Sequence, residues 1–352
     1  MIKIRNNYLF NFSASYVGGG YKRLYAYARL FDSRGGAHFI VHPNCRKLEN
    51  EFKNNRYYYL KMSGLERLFN NFKYLGPITS KIRDVRLYYS YGIPIHSKVG
   101  EINWFHISNI LPLAPEGIPL SLIDQIKMRI LGSKIRGNLV NADVISAESN
   151  YSLSLIKKIF CNKLFLSVNG SDDEISFLKN KKINKKTNTA VVIGTYKYKS
   201  ISDSVHIFKM LKKLNNKNLK LIIIGNSKNI PKEFTSDSNI IIKGFLPRED
   251  LIRYLRQAKY YISTTHIENS YNAASEGIFL ADESYISDIK PHRELLINSY
   301  FSNVSIPGIS RSILYVKKKN LNPINLKTWE NVFNDMMLKV NQVLHNLSDR
   351  PK

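Results

Sequence analysis

The chain has 352 residues, 43% hydrophobic and 12% aromatic; that is too long for one ordinary core and rich enough in apolar matter for two, which excludes wholesale disorder. Its 53 Lys and Arg against 27 Asp and Glu leave a net charge of +26, an attractive field for polyanions such as nucleic acid, an anionic membrane face or phosphorylated substrates. No run of about 18 apolar residues occurs, so a spanning helix is excluded, and Cys45 and Cys161 are too few and too far apart for a disulfide framework or a metal cluster, which points to a reducing cytosol.

Met1 to Gly20 is interrupted by Asn6, Asn7, Asn11, Ser13 and Ser15 and reads as a strand and a loop, not as a secretory leader. The run Gly18-Gly19-Gly20 ahead of Lys22 and Arg23 lets backbone approach a ligand closely with cations nearby, although a plain flexible turn uses the same residues. Patterning then predicts helices over Tyr21–Phe31 and Leu120–Leu131, and strands over Ala37–His42, Asn103–Ile107, Asp143–Ala147 and Leu164–Val168. His106, which nearly closes its strand, is either a satisfied structural group or a side chain presented to a ligand.

Between Phe52 and Leu75 aromatic residues interleave with cations. The mixture suits an interfacial helix on anionic lipid, with Lys53, Arg56, Tyr57, Tyr58, Lys61 and Arg67 as its contacts. A core helix with a solvated basic face, or a surface for single-stranded nucleic acid, accounts for it as well.

After Val168 the pattern breaks into Asn169-Gly170-Ser171-Asp172-Asp173 and then a Lys- and Asn-rich stretch. The expected division is therefore a first domain over 1–173, a linker over 174–186, a second domain over 187–327 and a final helical segment over 328–352. Alternation restarts in the second half with strands over Ala190–Ile193, Leu219–Ile224, Asn239–Lys243 and Tyr260–Thr264 and helices over Ser202–Leu214 and Arg248–Ala258. Both halves read as α/β, doubly wound sheets, in which ligands bind beyond the carboxyl ends of the strands; Gly194, Gly225 and the segment after Thr265 are expected to share one crevice.

In that segment Glu268 and Glu276 have seven residues between them. With 14 glutamates in the chain, about half such a pair is expected by chance, so position has to decide. A strand leads into Glu268, and a helix capped by Ser270 would aim its free amides and dipole at a diphosphate while Glu276 accepts hydrogen bonds from sugar or ribose hydroxyls. A capped surface helix with two solvated glutamates is the other reading of these residues alone.

At this point the chain resembles the GT-B glycosyltransferases, in particular the retaining nucleotide-sugar transferases of family four, the group 1 type. The residues that carry the likeness are Gly194 with Lys199, Leu221–Gly225, Lys243-Gly244-Phe245-Leu246, the Glu268/Glu276 pair, Ser287-Asp288 and Glu294, with Gly18-Gly19-Gly20, Ala142–Ser146 and Val168–Asp172 in the first half. The resemblance implies two Rossmann-like domains facing a cleft, the first binding the acceptor and a last helix crossing back to it. It also implies that Glu276 holds the ribose, Glu268 approaches the donor sugar and Lys199 meets the diphosphate, with His106 presented to the cleft, Gly18-Gly19-Gly20 as acceptor or phosphate loop, and His266 and Asn269-Ser270-Tyr271-Asn272 beside the donor.

The chain departs from the family in three places. Thr195, Tyr196 and Lys197 stand where an Arg is usual, with Lys197 one candidate substitute, Asn269–Asn272 replaces a Gly-rich helix start, and a later Gly and Pro are replaced near Ala281 and Glu283. No Asp-x-Asp sits where it would hold a diphosphate through a metal, so neither metal nor cofactor is expected. The implied partners are a nucleotide-sugar donor, a lipid-linked saccharide acceptor and an anionic membrane, at the cytoplasmic face of a bacterial cell and in O-antigen or capsule assembly. The rival classes are a basic nucleic-acid-binding module, for which no recognised motif is present, and a GT-B sugar-binding protein without turnover.

Overall fold

The computed structural model describes residues 7–63, 66, 72–82, 84–114, 117–160, 163–171, 187–215, 218–270, 272–322 and 326–348. The chain forms two compact units: Met1–Pro115, Leu122–Gly170 and Lys327–Lys352 make the first, and Glu116–Ser121 with Ser171–Leu326 make the second. The segment 174–186, expected as a linker, lies outside the described residues.

In the first unit the strands are β1 (Tyr8–Phe12), β2 (His38–Val41), β3 (Arg56–Tyr59), β4 (Leu87–Tyr91), β5 (Ile102–Ile107), β6 (Val144–Ala147) and β7 (Leu164–Leu166). They lie in the order β3-β2-β1-β4-β5-β6-β7, every neighbouring pair parallel. Every residue of β1, β2, β4, β5 and β6 is buried, as a parallel sheet covered on both faces demands. The helices are α1 (Gly18–Asp32), α2 (Lys47–Glu51), α3 (Phe72–Thr79), α4 (Leu122–Asn138), α5 (Asn150–Ser154) and α6 (Lys157–Phe160).

The second unit repeats the plan with β8 (Thr187–Ile193), α7 (Ile201–Asn215), β9 (Lys220–Ile224), α8 (Lys232–Thr235), β10 (Ile240–Gly244), α9 (Arg248–Gln257), β11 (Ala258–Ser263), α10 (Asn272–Leu280), β12 (Glu283–Ser287), α11 (Lys290–Leu295), β13 (Phe301–Val304) and β14 (Ile313–Lys317). Its order is β10-β9-β8-β11-β12-β14-β13, parallel except where β14 runs against β12 and β13. Strand order reverses between β1 and β4 in one unit and between β8 and β11 in the other, and at such a point the connecting loops part and leave room for a ligand at the carboxyl edge.

Several expectations are corrected. The segment Phe52–Leu75 is not one interfacial helix: Phe52 is buried in the core, Arg56–Tyr59 form an edge strand, and Arg67 lies outside the described residues. An aromatic run favours a pleated surface, and here Tyr57 stacks on Phe39 of β2 while the Tyr58 hydroxyl meets His38 Nδ1 at 3.0 Å. Lys53 and Lys61 are exposed on either side of the strand. Strand β7 ends at Leu166; the Ser167 amide still donates to the Ala147 carbonyl at 2.9 Å, and the carbonyls of Ser167 and Val168 accept from Arg23. The run Gly18-Gly19-Gly20 is the first turn of α1 and not a loop before it, and a Cβ on Gly20 would stand 2.8 Å from Ser15 Oγ and 3.0 Å from the Tyr91 ring, so packing explains that glycine.

The final helix, α12 (Trp329–Ser348), packs its stripe Trp329, Val332, Phe333, Met336 and Val340 into the same core as Phe10, Tyr27, Phe31 and Tyr89. Spacings of three and four residues put these on one face. The Phe333 ring meets Phe31 edge-on at 4.8 Å and Tyr27 at 6.2 Å. Among the described residues no helix is long and apolar enough to cross a membrane. Phe333→Ala, which empties a fully enclosed aromatic site, is expected to cost about 3–5 kcal/mol, measured by urea unfolding followed through near-ultraviolet circular dichroism.

Candidate functional site

The constellation richest in chemistry lies at the carboxyl ends of β8 and β11. Strand β8 ends at Ile193 and the chain turns through Gly194, whose φ of 87° favours glycine, and whose position leaves room for the aliphatic stem of Lys199. Residues Lys197–Lys199 form one 3₁₀ turn. Ser200 then takes a φ of 47°, a conformation costly for a residue with a Cβ. It is held there by its hydroxyl on Asp203 at 2.8 Å and by the Thr264 hydroxyl on its carbonyl at 2.7 Å.

The loop after β11 is stitched to this turn, since the His266 amide donates to the Tyr198 carbonyl at 2.7 Å. The result is that Lys199 Nζ donates to the Glu268 carboxylate, with 11% and 20% of the two side chains exposed. One cation and one carboxylate from two loops thus face each other across the reversal of strand order, partly shielded from water, where charge interactions are strengthened. Tyr196 and Tyr198 stack in parallel planes at 5.5 Å, the first exposed and the second half-buried; burial, then the Glu268 charge, raises the Tyr198 phenol well above its usual range.

The second glutamate sits deeper. Glu276, in the middle of α10 and 7% exposed, accepts a hydrogen bond of 2.7 Å from Arg248, the first residue of α9. Helix α10 begins at Asn272, two residues beyond the Ser270 expected to cap it, and Tyr271 lies outside the described residues. Asn269, Ser270 and Asn272 are half-buried in the same stretch, and Lys197 is exposed.

His266 is drawn into another network. Its Nε2 accepts from Arg311 at 2.6 Å, and Arg311 also reaches the Thr264 carbonyl at 2.9 Å and Asp203 at 3.1 Å. Burial, with the Arg311 charge added, lowers the imidazole below its ordinary value, which matches an acceptor nitrogen facing a guanidinium. Thr265, His266, Ser287, Asp288, Ser310, Arg311 and Ser312, with Ile289, line an open pocket of about 250 Å³. Neither Arg248 nor Arg311 carries a signal in the sequence, because each meets its partner 28 or 45 residues away only after folding.

His106 belongs to the first unit and has no exposed surface. Trp104 Nε1 donates to Ser146 Oγ at 2.7 Å, Ser146 Oγ lies 2.7 Å from His106 Nδ1, and His106 Nε2 stands 3.5 Å from Glu148. Tyr91 stacks on the imidazole at 5.0 Å and donates to Glu148 at 3.0 Å. Arg23, also fully buried, lies 3.9 Å from that carboxylate. Burial first, and Arg23 second, push His106 down to about 4; burial would raise Glu148, but the His106 hydrogen bond and the Arg23 charge together hold it below its ordinary value. The expected presentation of His106 to a ligand is therefore not what the structure shows: the neutral ring is a member of a closed polar network.

Among the described residues no three His, Cys, Asp or Glu side chains gather as metal ligands do. Residues 173–274 match the sequence profile of the family described as glycosyl transferases group 1. No curated protein sequence matches the chain. Solved structures similar to it include a sucrose-phosphate synthase from Thermosynechococcus elongatus (TM-score 0.60, 12% identity, covering 84% of this chain and 84% of that one). They also include WaaG, a glycosyltransferase involved in lipopolysaccharide biosynthesis (0.56, 11%, 77% and 78%), and an E. coli trehalose-6-phosphate protein bound with UDP-2-fluoro glucose (0.53, 9%, 82% and 86%). The fold is GT-B: two α/β units with mainly parallel sheets, matching glycosyltransferase structures.

Two measurements follow from these networks. An unfolded imidazole titrates near 6.5 and the buried His106 near 4, so as pH falls through that interval the unfolded chain takes up the proton first and folding loses up to about 3 kcal/mol. From about 4.5 downward Glu148, held below its ordinary value, removes more as the unfolded carboxylate takes up its proton first. Urea unfolding between pH 7 and pH 4 should show this slope, and His106→Gln should start less stable and lose less. Arg248→Met is expected to destabilise the second unit by about 1–3 kcal/mol, because Glu276 keeps its buried charge without that guanidinium, and adding Glu276→Gln should restore most of the loss.

Proposed function

We propose that this chain is a retaining glycosyltransferase that moves a sugar from a nucleotide-sugar donor to a hydroxyl of a lipid-linked saccharide, in assembly of a bacterial surface polysaccharide such as O-antigen or capsule. The observation that carries the reading is the Lys199–Glu268 pair at the β8/β11 reversal, inside the segment that matches the group 1 transferases. With no donor bound, each charge satisfies the other. A diphosphate entering beside Gly194 gives Lys199 a second anion, so the ammonium follows the leaving phosphate as its charge grows, and Glu268 is released toward the sugar. Glu276 is the ribose acceptor, with Arg248 fixing the carboxylate's orientation. In this reading no metal is needed, since Lys199 and backbone amides meet the diphosphate.

The acceptor class and the membrane-side location rest on the family resemblance, with support from one similar structure of lipopolysaccharide biosynthesis. The enzyme would act as a peripheral protein at the cytoplasmic face of the cell membrane.

The test separates binding from turnover. Glu276→Gln should weaken calorimetric binding of the nucleoside diphosphate by about tenfold, the worth of a hydrogen bond to a charged group. Glu268→Gln should leave that binding nearly intact and lower kcat by about 10²–10³, while Lys199→Ala should harm both. The donor is chosen beforehand by a thermal-shift screen of UDP-, GDP- and dTDP-sugars. Full transfer activity in a folded Glu268→Gln, Glu276→Gln double variant would overturn the assignment, and nucleotide-sugar binding without any turnover would make the chain a sugar-binding protein instead.

A further inference from the structure

Helix α4 (Leu122–Asn138) presents four large aliphatic side chains to solvent: Leu122 is 73% exposed, Ile123 64%, Ile126 51% and Ile130 44%. At 3.6 residues per turn they fall within an arc of about 100°. Lys127 and Lys134 border one edge of that arc and Arg129 the other, and Asp124, the only acidic residue of the helix, projects from the opposite side. Val140, in the turn that follows, is 61% exposed.

The other face of α4 is firmly anchored. Ile135 is buried, Arg136 donates to the Leu113 carbonyl at 2.9 Å, and a Cβ on Gly132 would stand 2.0 Å from the Pro112 carbonyl oxygen, a contact only glycine permits. The outward stripe is thus fixed by packing and is not a helix rolled away from its core. Clustered exposed aliphatics of this kind mark an interaction site.

We propose that this face of α4 is a docking surface for an anionic lipid bilayer. Four aliphatics on one arc enter the acyl boundary, while lysines and an arginine at its borders extend toward phosphate headgroups, their stems lying along the apolar stripe. Charge decides between lipid and a second copy of this chain: the borders are basic and the chain carries +26, so two such faces repel, whereas an anionic surface attracts them. The surface replaces the Phe52–Leu75 segment as the membrane contact. It deepens the proposed reaction by naming how the enzyme reaches a lipid-linked acceptor, and in that respect it rests on that reading.

The experiment is flotation of the full chain with vesicles of phosphatidylcholine alone or mixed with phosphatidylglycerol. Binding should need phosphatidylglycerol and weaken with salt. The combined variant Ile123→Ser, Ile126→Ser, Ile130→Ser, and separately Lys127→Gln, Arg129→Gln, Lys134→Gln, should each weaken it by about tenfold or more, while Lys53→Gln, Arg56→Gln, Lys61→Gln should leave it within about twofold. All these side chains are exposed or border solvent, so folding is checked simply by thermal unfolding. Ile126→Trp supplies a local readout, with emission moving to shorter wavelength on vesicles. Unchanged binding by the serine variant, or a concentration-dependent dimer in sedimentation that this variant abolishes, would overturn the proposal. Nucleoside diphosphate binding measured on the same variants keeps the two readings apart: vesicle binding lost with nucleotide binding intact concerns α4, and nucleotide binding absent from the parent chain concerns the transferase reading.

Discussion

A parallel strand cannot be reached by a hairpin; each must be entered by a crossover from the opposite end of the sheet, and where the order of crossovers reverses, two neighbouring loops diverge. That constraint operates between β8 and β11, and the rest of the candidate site depends on it. It brings Lys199 and Glu268, 69 residues apart in sequence, into contact, and it sets the Tyr198 carbonyl against the His266 amide. The unusual backbone at Ser200 and the turn at Gly194 are local adjustments that aim a lysine at a place already determined by topology.

The two units handle their buried charges differently. In the first, Arg23 is enclosed and its two terminal nitrogens donate to the Ser167 and Val168 carbonyls, Asn169 and Tyr27, with the Trp329 ring at 5.5 Å. This guanidinium ties α1, the end of β7 and α12 together, and with Glu148 and His106 forms a closed network whose value lies in specifying one arrangement. In the second unit Lys199–Glu268 keeps partial exposure on both sides, whereas Arg248 is part-exposed over a buried Glu276. A part-exposed pair can exchange a partner at less cost in desolvation than an enclosed one. Closed networks hold the scaffold, and half-open pairs leave chemistry available.

On the proposed docking to an anionic bilayer, three of the 53 cations, Lys127, Arg129 and Lys134, act at the borders of the exposed aliphatic arc on α4.

Alternation of buried strands and surface helices was legible in the sequence and defined the α/β class, since hydrophobic periodicity is a local property of the chain; the GT-B fold was implied by the family resemblance. Gly194, Glu268 and Glu276 were likewise visible as candidates by their places after strands or along the helix that follows, and Lys199 through the family resemblance. Tertiary structure decided the rest. Within the Phe52–Leu75 mixture Arg56–Tyr59 became an edge strand because β2 offered it a ladder, and His106 became an enclosed neutral ring because Tyr91, Ser146 and Glu148 close round it. Arg248 and Arg311 gained their roles from carboxylates and an imidazole that no spacing rule connects to them. Periodicity is written residue by residue, whereas ion pairing and burial are properties of the folded packing, so a sequence carries the first openly and the second only through the fold.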